Sequence, residues 1–459
     1  MADTIAAIST LMGRSAIGIL RMSGDEALAV AEKVFRPDNG RPLGAAPTHK
    51  LVNGRFLGAD GALLDQCVAV WCRAPHSYTG EDTVELQCHG SPTVLAAGLR
   101  SLFAAGARQA LRGEFTKRAF LNGKLDLAQA EAVIDLIDAE TEEMMRNAAH
   151  QLGGAVSARM EAVYSALTDV MSHFHAIIDY PDEELEPFEL AAVDKTLAES
   201  GAALRRLLQS FERGRVVREG LQAAILGRPN AGKSSLLNAL LGYERAIVTE
   251  IAGTTRDTIE EKLLLGGVLL RLTDTAGLRG TEDPVERIGV ERARAAAESA
   301  RLLLAVFDGS EPLSEDDEAV FKEAAGTEKR IALVNKADLG CVWTEAERAR
   351  VAAVFPTVLP VSAREGTGLE ALSDAVAALF AEGTPAPLGE MITNERQAEA
   401  LSRAAAALSR AREALAAGVT PDALLTDVEE AMAAIGEITG RSVREDITAR
   451  IFERFCVGK

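Results

Sequence analysis

Cysteine is scarce in this chain, and its five residues, at positions 67, 72, 88, 341 and 456, form no Cys-x-x-Cys pair. An odd count without paired spacing argues against a disulfide framework or a cysteine-built zinc site, and it is typical of reduced thiols in the cytosol. The six histidines show no His-Glu-x-x-His spacing, so the helix-borne zinc hydrolase motif is absent as well.

Positive charge and long apolar runs are also in short supply. Against 68 Asp and Glu there are 49 Lys and Arg, a net charge of −19, which makes the chain a poor nonspecific binder of nucleic acid. Residues 1–120 hold 13 basic and 11 acidic residues, so the rest carries about −21. We therefore expect any RNA contact to use a local basic patch or a partner protein. The start MADTIAAIST has an acid and no basic region before its short apolar run, so we expect no signal peptide, no membrane span and a cytoplasmic location.

A glycine-rich loop, GRPNAGKS at 227–234, is the most informative motif that is present. It stands between a strand-like run at 221–226 and a helix-like run at 234–242, which is the setting of a phosphate-binding loop. In such a loop the glycines and the helix N-terminus turn backbone N–H groups towards phosphate oxygens. Lys233 is predicted to reach the β- and γ-phosphates and Ser234 to ligate Mg²⁺.

Three further motifs follow in order and together specify GTP: DTAG at 274–277, NKAD at 335–338 and VSAR at 361–364. Asp274 is predicted to hold Mg²⁺ through water. The carboxylate of Asp338 can accept hydrogen bonds from both N1–H and the N2 amine of guanine, a pair of donors that adenine lacks. The ordered set therefore predicts a GTPase.

The loop TEIAGTTRD at 249–257 is predicted to be the mobile switch of this GTPase. Either Thr255 or its neighbour Thr254 supplies the hydroxyl that joins Mg²⁺ when the γ-phosphate is present, and the spacing alone does not separate them. A strand pair with two glycines at its turn is predicted at 260–274.

The predicted site lacks the glutamine that orients water in Ras-like enzymes, because Leu278 stands in its place. Leucine cannot form a hydrogen bond, so another group must orient the water. Glu282, Asp283 and Glu286 are candidates, each of them alternatively a solvated residue at the start of a helix. Asn230 is either a turn residue or a ligand for a monovalent cation that offsets transition-state charge in place of an arginine finger.

The pattern along the chain predicts a multidomain fold, α/β and all-α. Residues 1–120 mix short apolar runs with one helix-like run at 92–106 and are predicted to form a small α/β domain. Residues 121–219 and 381–459 show helical periodicity and are predicted to form one discontinuous helical domain. Residues 220–380 alternate strands and helices, as expected of an inserted Ras-like P-loop GTPase domain with a mostly parallel sheet.

Segments outside the nucleotide motifs resemble those of one family. They are GILRMSG at 18–24, SYTGEDTVELQCHG at 77–90, GEFTKRAFLNGKLDLAQAEAVIDLI at 113–137 and the terminal FCVGK at 455–459. With GRPNAGKSSLLNAL and GTTRD they resemble the tRNA-modification GTPase family MnmE, also called TrmE, over essentially the whole chain. The N-terminal segments and the tail make this resemblance specific, although valine replaces the commoner isoleucine in the tail.

The resemblance implies a homodimer formed through the N-terminal domain and a complex with the FAD-dependent partner MnmG (GidA). In that family the pair adds an aminomethyl-type group, such as carboxymethylaminomethyl, to C5 of the wobble uridine of certain tRNAs. GTP hydrolysis is required, and a tetrahydrofolate derivative, 5-formyl- or 5,10-methylene-, supplies the one-carbon unit. The positions that match the family's folate contacts are Arg21, Glu85, Lys124 and Lys459.

The resemblance also implies roles in the nucleotide site. The K⁺ ligands are Asn230, Thr249, Ile251 and Thr254, and the Mg²⁺ ligands are Ser234 and Thr255. Lys233 is catalytic, and Glu286 positions the attacking water. Cys456 is either a thiolate nucleophile or a structural residue beside the folate. The nucleotide contacts are Asn230, Ala231, Gly232, Lys233, Ser234, Ser235, Thr249, Glu250, Ile251, Ala252, Gly253, Thr254, Thr255, Asp274, Thr275, Ala276, Gly277, Asn335, Lys336, Ala337, Asp338, Ser362, Ala363 and Arg364.

A second class of protein explains the central motifs equally well, a GTPase switch that docks on ribosomal RNA and carries out no modification. It predicts no folate binding and a basic RNA-binding module beside the GTPase. The near-neutral front and the acidic helices of this chain favour the modification enzyme.

Overall fold

The structure is a computed structural model that describes residues 3–179, 190–243, 261–272, 300–380, 389–418, 421–442 and 445–459. The chain divides into two compact units. The first consists of Met1–Ile137, Gln151–Gly201 and Arg403–Lys459, and the second of Asp138–His150 and Ala202–Ser402.

A seven-stranded sheet organises the first unit. Its strands are β1 (Ile5–Ile8), β2 (Ser15–Ser23), β3 (Phe35–Pro37), β4 (Val52–Leu57), β5 (Leu63–Cys72), β6 (Thr83–Gly90) and β7 (Arg108–Gln109). They lie in the order β3-β4-β5-β6-β2-β1-β7. The β1–β7 pair is parallel and the other neighbours are antiparallel.

Two helices, α1 (Ala27–Val34) and α2 (Pro92–Ala105), cover one face of this sheet. Helix α2 has its proline at the first position, and Gly106 ends it with φ of 120°, as these residue types favour. Along β2, Leu20 and Met22 are fully buried under the helices while Arg21 is half-buried on the opposite face. The alternation of the strand therefore creates an open face that carries polar groups.

Long helices make up the segments between and after the sheets. They are α3 (Glu114–Leu121), α4 (Leu127–Ile137), α5 (Glu142–Leu152), α6 (Ala155–Asp179), α7 (Leu190–Gln209), α8 (Phe211–Glu219), α13 (Glu395–Ala416), α14 (Pro421–Thr439) and α15 (Glu445–Glu453). Within the first unit α14 packs on α4 and α6, although it comes more than 240 residues after α6 in the chain.

A six-stranded sheet forms the core of the second unit. Its strands are β8 (Leu221–Leu226), β9 (Glu261–Leu265), β10 (Val268–Leu272), β11 (Leu302–Asp308), β12 (Lys329–Asn335) and β13 (Thr357–Pro360), in the order β13-β12-β11-β8-β10-β9. The helices beside it are α9 (Lys233–Tyr243), α10 (Glu315–Ala324), α11 (Glu345–Val354) and α12 (Leu369–Phe380). The pairs are parallel except for the β9–β10 hairpin, and every residue of central β11 is buried, as expected of a strand covered on both faces.

The structure confirms the predicted fold class, and three predicted elements can be checked in detail. Strand β8 has the predicted bounds 221–226, and α2 ends one residue before the predicted 92–106. The predicted strand pair within 260–274 is the β9–β10 hairpin, whose turn glycines both have positive φ. The bounds of the four predicted segments, at 120, 219 and 380, stay a prediction.

Candidate functional site

The phosphate loop at 227–234 joins β8 to the first turn of α9. Asn230 and Gly232 both have positive φ, 62° and 96°, a conformation that asparagine and glycine tolerate best. A Cβ at Gly232 would lie 2.1 Å from Asn335 Nδ2. Glycine at this position therefore allows the phosphate loop and the guanine loop to approach each other.

Lys233 is held at the mouth of this loop by main-chain oxygens. Its Nζ donates to the carbonyls of Gly227 and Arg228, each at 2.8 Å. Burial lowers the pKa of Lys233, because a low-dielectric surrounding disfavours the charged form. Ser234 and Ser235 follow in the first turn of α9, where helical N–H groups and a hydroxyl can face an anion and its metal ion.

The guanine loop is tied directly to the phosphate loop. Asn335 Nδ2 donates to the carbonyl of Ala231 at 2.9 Å, and the N–H of Ala363 donates to Asn335 Oδ1 at 3.1 Å. Ser362 Oγ donates to Asp338 Oδ1 at 2.7 Å, which orients that carboxylate. Three separate predicted motifs thus meet at the carboxyl ends of parallel strands, where ligands bind in open α/β sheets.

The remaining residues of the guanine loop are also in place. The N–H of Ala337 donates to the carbonyl of Val361 at 3.0 Å, and Arg364 is exposed. Lys336 Nζ lies 2.6 Å from the carboxylate of Asp308, a buried acid that sequence reasoning missed. Its only sequence signal is a charged residue at the end of the apolar run LLLAVFD.

The other predicted nucleotide residues lie outside the described residues, and the predictions on them stay predictions. They are Thr249, Glu250, Ile251, Ala252, Gly253, Thr254, Thr255, Asp274, Thr275, Ala276, Gly277 and Glu286.

A second polar cluster lies on the open face of the N-terminal sheet. Arg21 on β2 faces Glu85 on β6, and Arg21 Nε donates to Glu85 Oε1 at 2.7 Å. The guanidinium lies 5.7 Å from the ring centroid of Tyr78 and 5.8 Å from that of Phe115, within the range of cation–π attraction. The two charges are about one fifth and one quarter exposed, so both remain accessible to a ligand.

The C-terminal tail brings Lys459 to this cluster. The N–H of Gly113 donates to the carbonyl of Cys456 at 3.3 Å, and the N–H of Phe115 donates to that of Lys459 at 3.2 Å. A Cβ at Gly458 would lie 2.2 Å from the carbonyl oxygen of Ile8, and φ there is 101°, so glycine is required where the tail crosses β1.

The titration of Lys459 reports its neighbours. Burial lowers its pKa, and the positive charge of Arg21 lowers it further, while Cys456 and Glu85 act in the opposite direction. Four predicted residues from three distant segments therefore share one electrostatic environment. Lys124 Nζ instead donates to the carbonyl of Pro75 at 3.2 Å, at the start of the loop that carries Tyr78 to the cluster.

Two further properties bear on the class of protein. Among the described residues, no three or more His, Cys, Asp or Glu side chains are grouped so that they could hold a metal ion. None of the described helices is both long and apolar enough to span a membrane.

The central sheet with its phosphate and guanine loops defines a P-loop GTPase that carries a separate sheet and helices. Comparison with known proteins identifies the family. The MnmE helical domain model matches residues 127–456, and the model of the GTP-binding protein TrmE N-terminus matches residues 4–124. The chain belongs to the MnmE family of tRNA modification GTPases, and it is a GTP hydrolase that acts in tRNA modification.

Individual relatives match from end to end. The tRNA modification GTPase MnmE of Roseiflexus sp. (strain RS-1) is 45% identical, over 100% of this chain and 99% of the relative. That of Symbiobacterium thermophilum is 44% identical over the same shares. Among solved structures, Era in complex with MgGDPNP and a 16S ribosomal RNA segment is 27% identical over 40% of this chain and 65% of that one. Its TM-score of 0.27 is too low to bear on function.

Proposed function

We propose that this chain is a K⁺-dependent GTPase that modifies C5 of the wobble uridine of tRNA together with an FAD-dependent partner of the MnmG type. A tetrahydrofolate derivative supplies the one-carbon unit, and the reaction takes place in the cytoplasm. The single observation that carries this proposal is the convergence of Arg21, Glu85 and Lys459 on one face of a sheet outside the GTPase. A regulatory switch has no need of such a site.

The charges of the cluster suit a folate. Arg21 and Lys459 can bind the carboxylates of the glutamate tail, and Glu85 can accept hydrogen bonds from the N–H donors of the pterin ring. Lys124 supplies a further ammonium at the far end of the loop that begins at Pro75. A bound folate carries the one-carbon unit, and these residues would bind and orient it. Cys456 is exposed and belongs to the same tail, which suits either a nucleophile or a neighbour of the folate.

The open sheet face also supports a homodimer. Ile17 is 57% exposed there, and Ile19, Val68 and Val70 on the same face are only half-buried. The opposite face is covered by α1 and α2. A second copy seated on the open face would bury this apolar surface and enclose the adjacent Arg21–Glu85 pair.

Residues of the phosphate loop support the proposed metal ions. Asn230, with its left-handed backbone, could offer its amide oxygen to K⁺, together with Thr249, Ile251 and Thr254. GTP binds with Mg²⁺, for which we propose Ser234 and Thr255 as ligands. Glu286 is proposed to orient the attacking water in place of the glutamine that Leu278 replaces.

Calorimetry with 5-formyl-tetrahydrofolate tests the proposal directly. We expect micromolar binding to the wild-type protein and loss of binding in Lys459→Ala, while Lys50→Ala, an exposed lysine outside the cluster, binds normally. Absence of heat with the wild-type protein would favour the rival class, a ribosome-associated GTPase switch. GTP turnover of each sample verifies that the protein is folded.

A further inference from the structure

The carboxylate of Asp308 lies between the two loops that form the nucleotide site. Asp308 is the last residue of β11, and β11 lies between β8, which leads into the phosphate loop, and β12, which leads into the guanine loop. The residue is 5% exposed. Both of its oxygens have donors: Ser310 N–H and Oγ donate to Oδ1 at 2.9 Å and 2.6 Å, and Lys336 Nζ donates to Oδ2 at 2.6 Å.

Asp308 is also close to the phosphate loop through Arg228. Arg228 Nη2 lies 3.8 Å from Asp308 Oδ2 and 2.6 Å from Glu311 Oε2, and its Nε lies 4.0 Å from Asp317 Oδ2. The guanidinium is only 14% exposed. The second residue of the phosphate loop is therefore anchored to acids at the end of β11 and in α10.

Lys336 is under a backbone constraint that makes a side-chain anchor useful. Its φ is 63°, in the left-handed region that is unfavourable for a residue with a side chain. The ion pair with Asp308 fixes the direction in which the ammonium leaves this strained turn. Burial raises the pKa of Asp308, but hydrogen bonds from Lys336 and Ser310 outweigh it and lower the pKa overall, so the carboxylate is charged at neutral pH.

We propose that Asp308 is a positioning residue of the GTP site, which holds Lys336 of the guanine loop and Arg228 of the phosphate loop at the spacing that a guanine nucleotide requires. It is not among the residues that the nucleotide motifs predict. Because it acts through these two side chains, its loss should weaken nucleotide binding and leave the chemical step at saturating GTP unchanged.

Binding of the fluorescent probes mant-GDP and mant-GTP to full-length Asp308→Asn tests this proposal. We expect both dissociation constants to rise about ten-fold, as for loss of a buried charged hydrogen bond. We expect KM for GTP to rise in parallel and kcat to stay within about two-fold of wild type. Asp316→Asn is the matched control, because Asp316 is an exposed acid of α10 and should bind as the wild type does.

A double-mutant cycle separates positioning from a general loss of stability. If Asp308 acts mainly through Lys336, adding Asp308→Asn to Lys336→Met should weaken binding by less than about two-fold, since coupled residues are non-additive. Fully additive losses would overturn the proposal, and so would wild-type or tighter binding by Asp308→Asn. If Asp308→Asn does not fold, retention of wild-type affinity by Lys336→Met overturns the proposal from the other side of the pair.

Discussion

The nucleotide site and the N-terminal cluster are assembled in opposite ways. Each nucleotide motif is a short contiguous run at the end of a strand, and the parallel sheet then aligns the strand ends. The N-terminal cluster is built across strands β2 and β6, which pair Arg21 with Glu85, and from a tail that arrives more than 370 residues later in the chain. Local chemistry therefore identifies the first site, and only the fold assembles the second.

The comparison predicts that the two sites can be broken separately, with the largest effect expected at Lys233. Lys233→Ala removes the cation held at the mouth of the phosphate loop, and we expect GTP turnover to fall by about 10²- to 10³-fold, the usual cost of losing one charge-stabilising donor. Binding of 5-formyl-tetrahydrofolate should be unchanged. Loss of both activities together would mean that the sites depend on each other.

Alkali-metal dependence sharpens the comparison, because the proposed cation belongs to the nucleotide site alone. We expect GTP turnover in KCl to exceed that in NaCl by about ten-fold or more, since an ion in this position offsets transition-state charge. Folate binding should be equal in the two salts. Equal turnover would argue against the proposed role of Asn230, and normal turnover in Glu286→Ala would assign the water to another group.

Two glycines offer a matched pair of substitutions, one for each site. Gly232→Ala places a Cβ 2.1 Å from Asn335 Nδ2, and Gly458→Ala places one 2.2 Å from the carbonyl oxygen of Ile8. We expect the first to weaken mant-GTP binding about ten-fold or more and the second to do the same to folate binding, because positive φ adds strain to each clash. Gly366→Ala, with similar φ but open space around it, is the control and should affect neither site. A crossed pattern of losses would contradict the separation.

The smallest predicted effect is a pH dependence of folate binding. Because burial and Arg21 lower the pKa of Lys459 below its ordinary 10.5, its ammonium loses its proton at a lower pH than that of a free lysine. Folate affinity should therefore fall as the pH rises towards 10.5, while in Lys459→Arg, which stays charged, it should fall less. Without ligand, the fold should gain stability over this window, since the unfolded chain then binds more protons than the folded one. A flat profile for the wild type would remove Lys459 from the site.

Sequence reasoning reached the elements whose signals are local. The apolar run at 221–226 with its glycine loop predicted β8 and the phosphate loop because strand, turn and helix are adjacent in the chain. It could not find Asp308, whose partners Arg228 and Lys336 lie 80 residues before it and 28 after it. Arg21 and Glu85 were found only through family resemblance, since the charges of each alone are typical of a surface ion pair.

Analysis of wobble nucleosides in bulk tRNA tests the central claim most directly, namely that one chain couples a GTPase to a separate one-carbon site for tRNA modification. The gene is deleted and then complemented with wild type, Lys233→Ala or Lys459→Ala. We predict that the C5 modification disappears on deletion and that the wild-type gene restores it while neither variant does. Intact modification in the deletion strain, or full rescue by Lys459→Ala, would contradict the account.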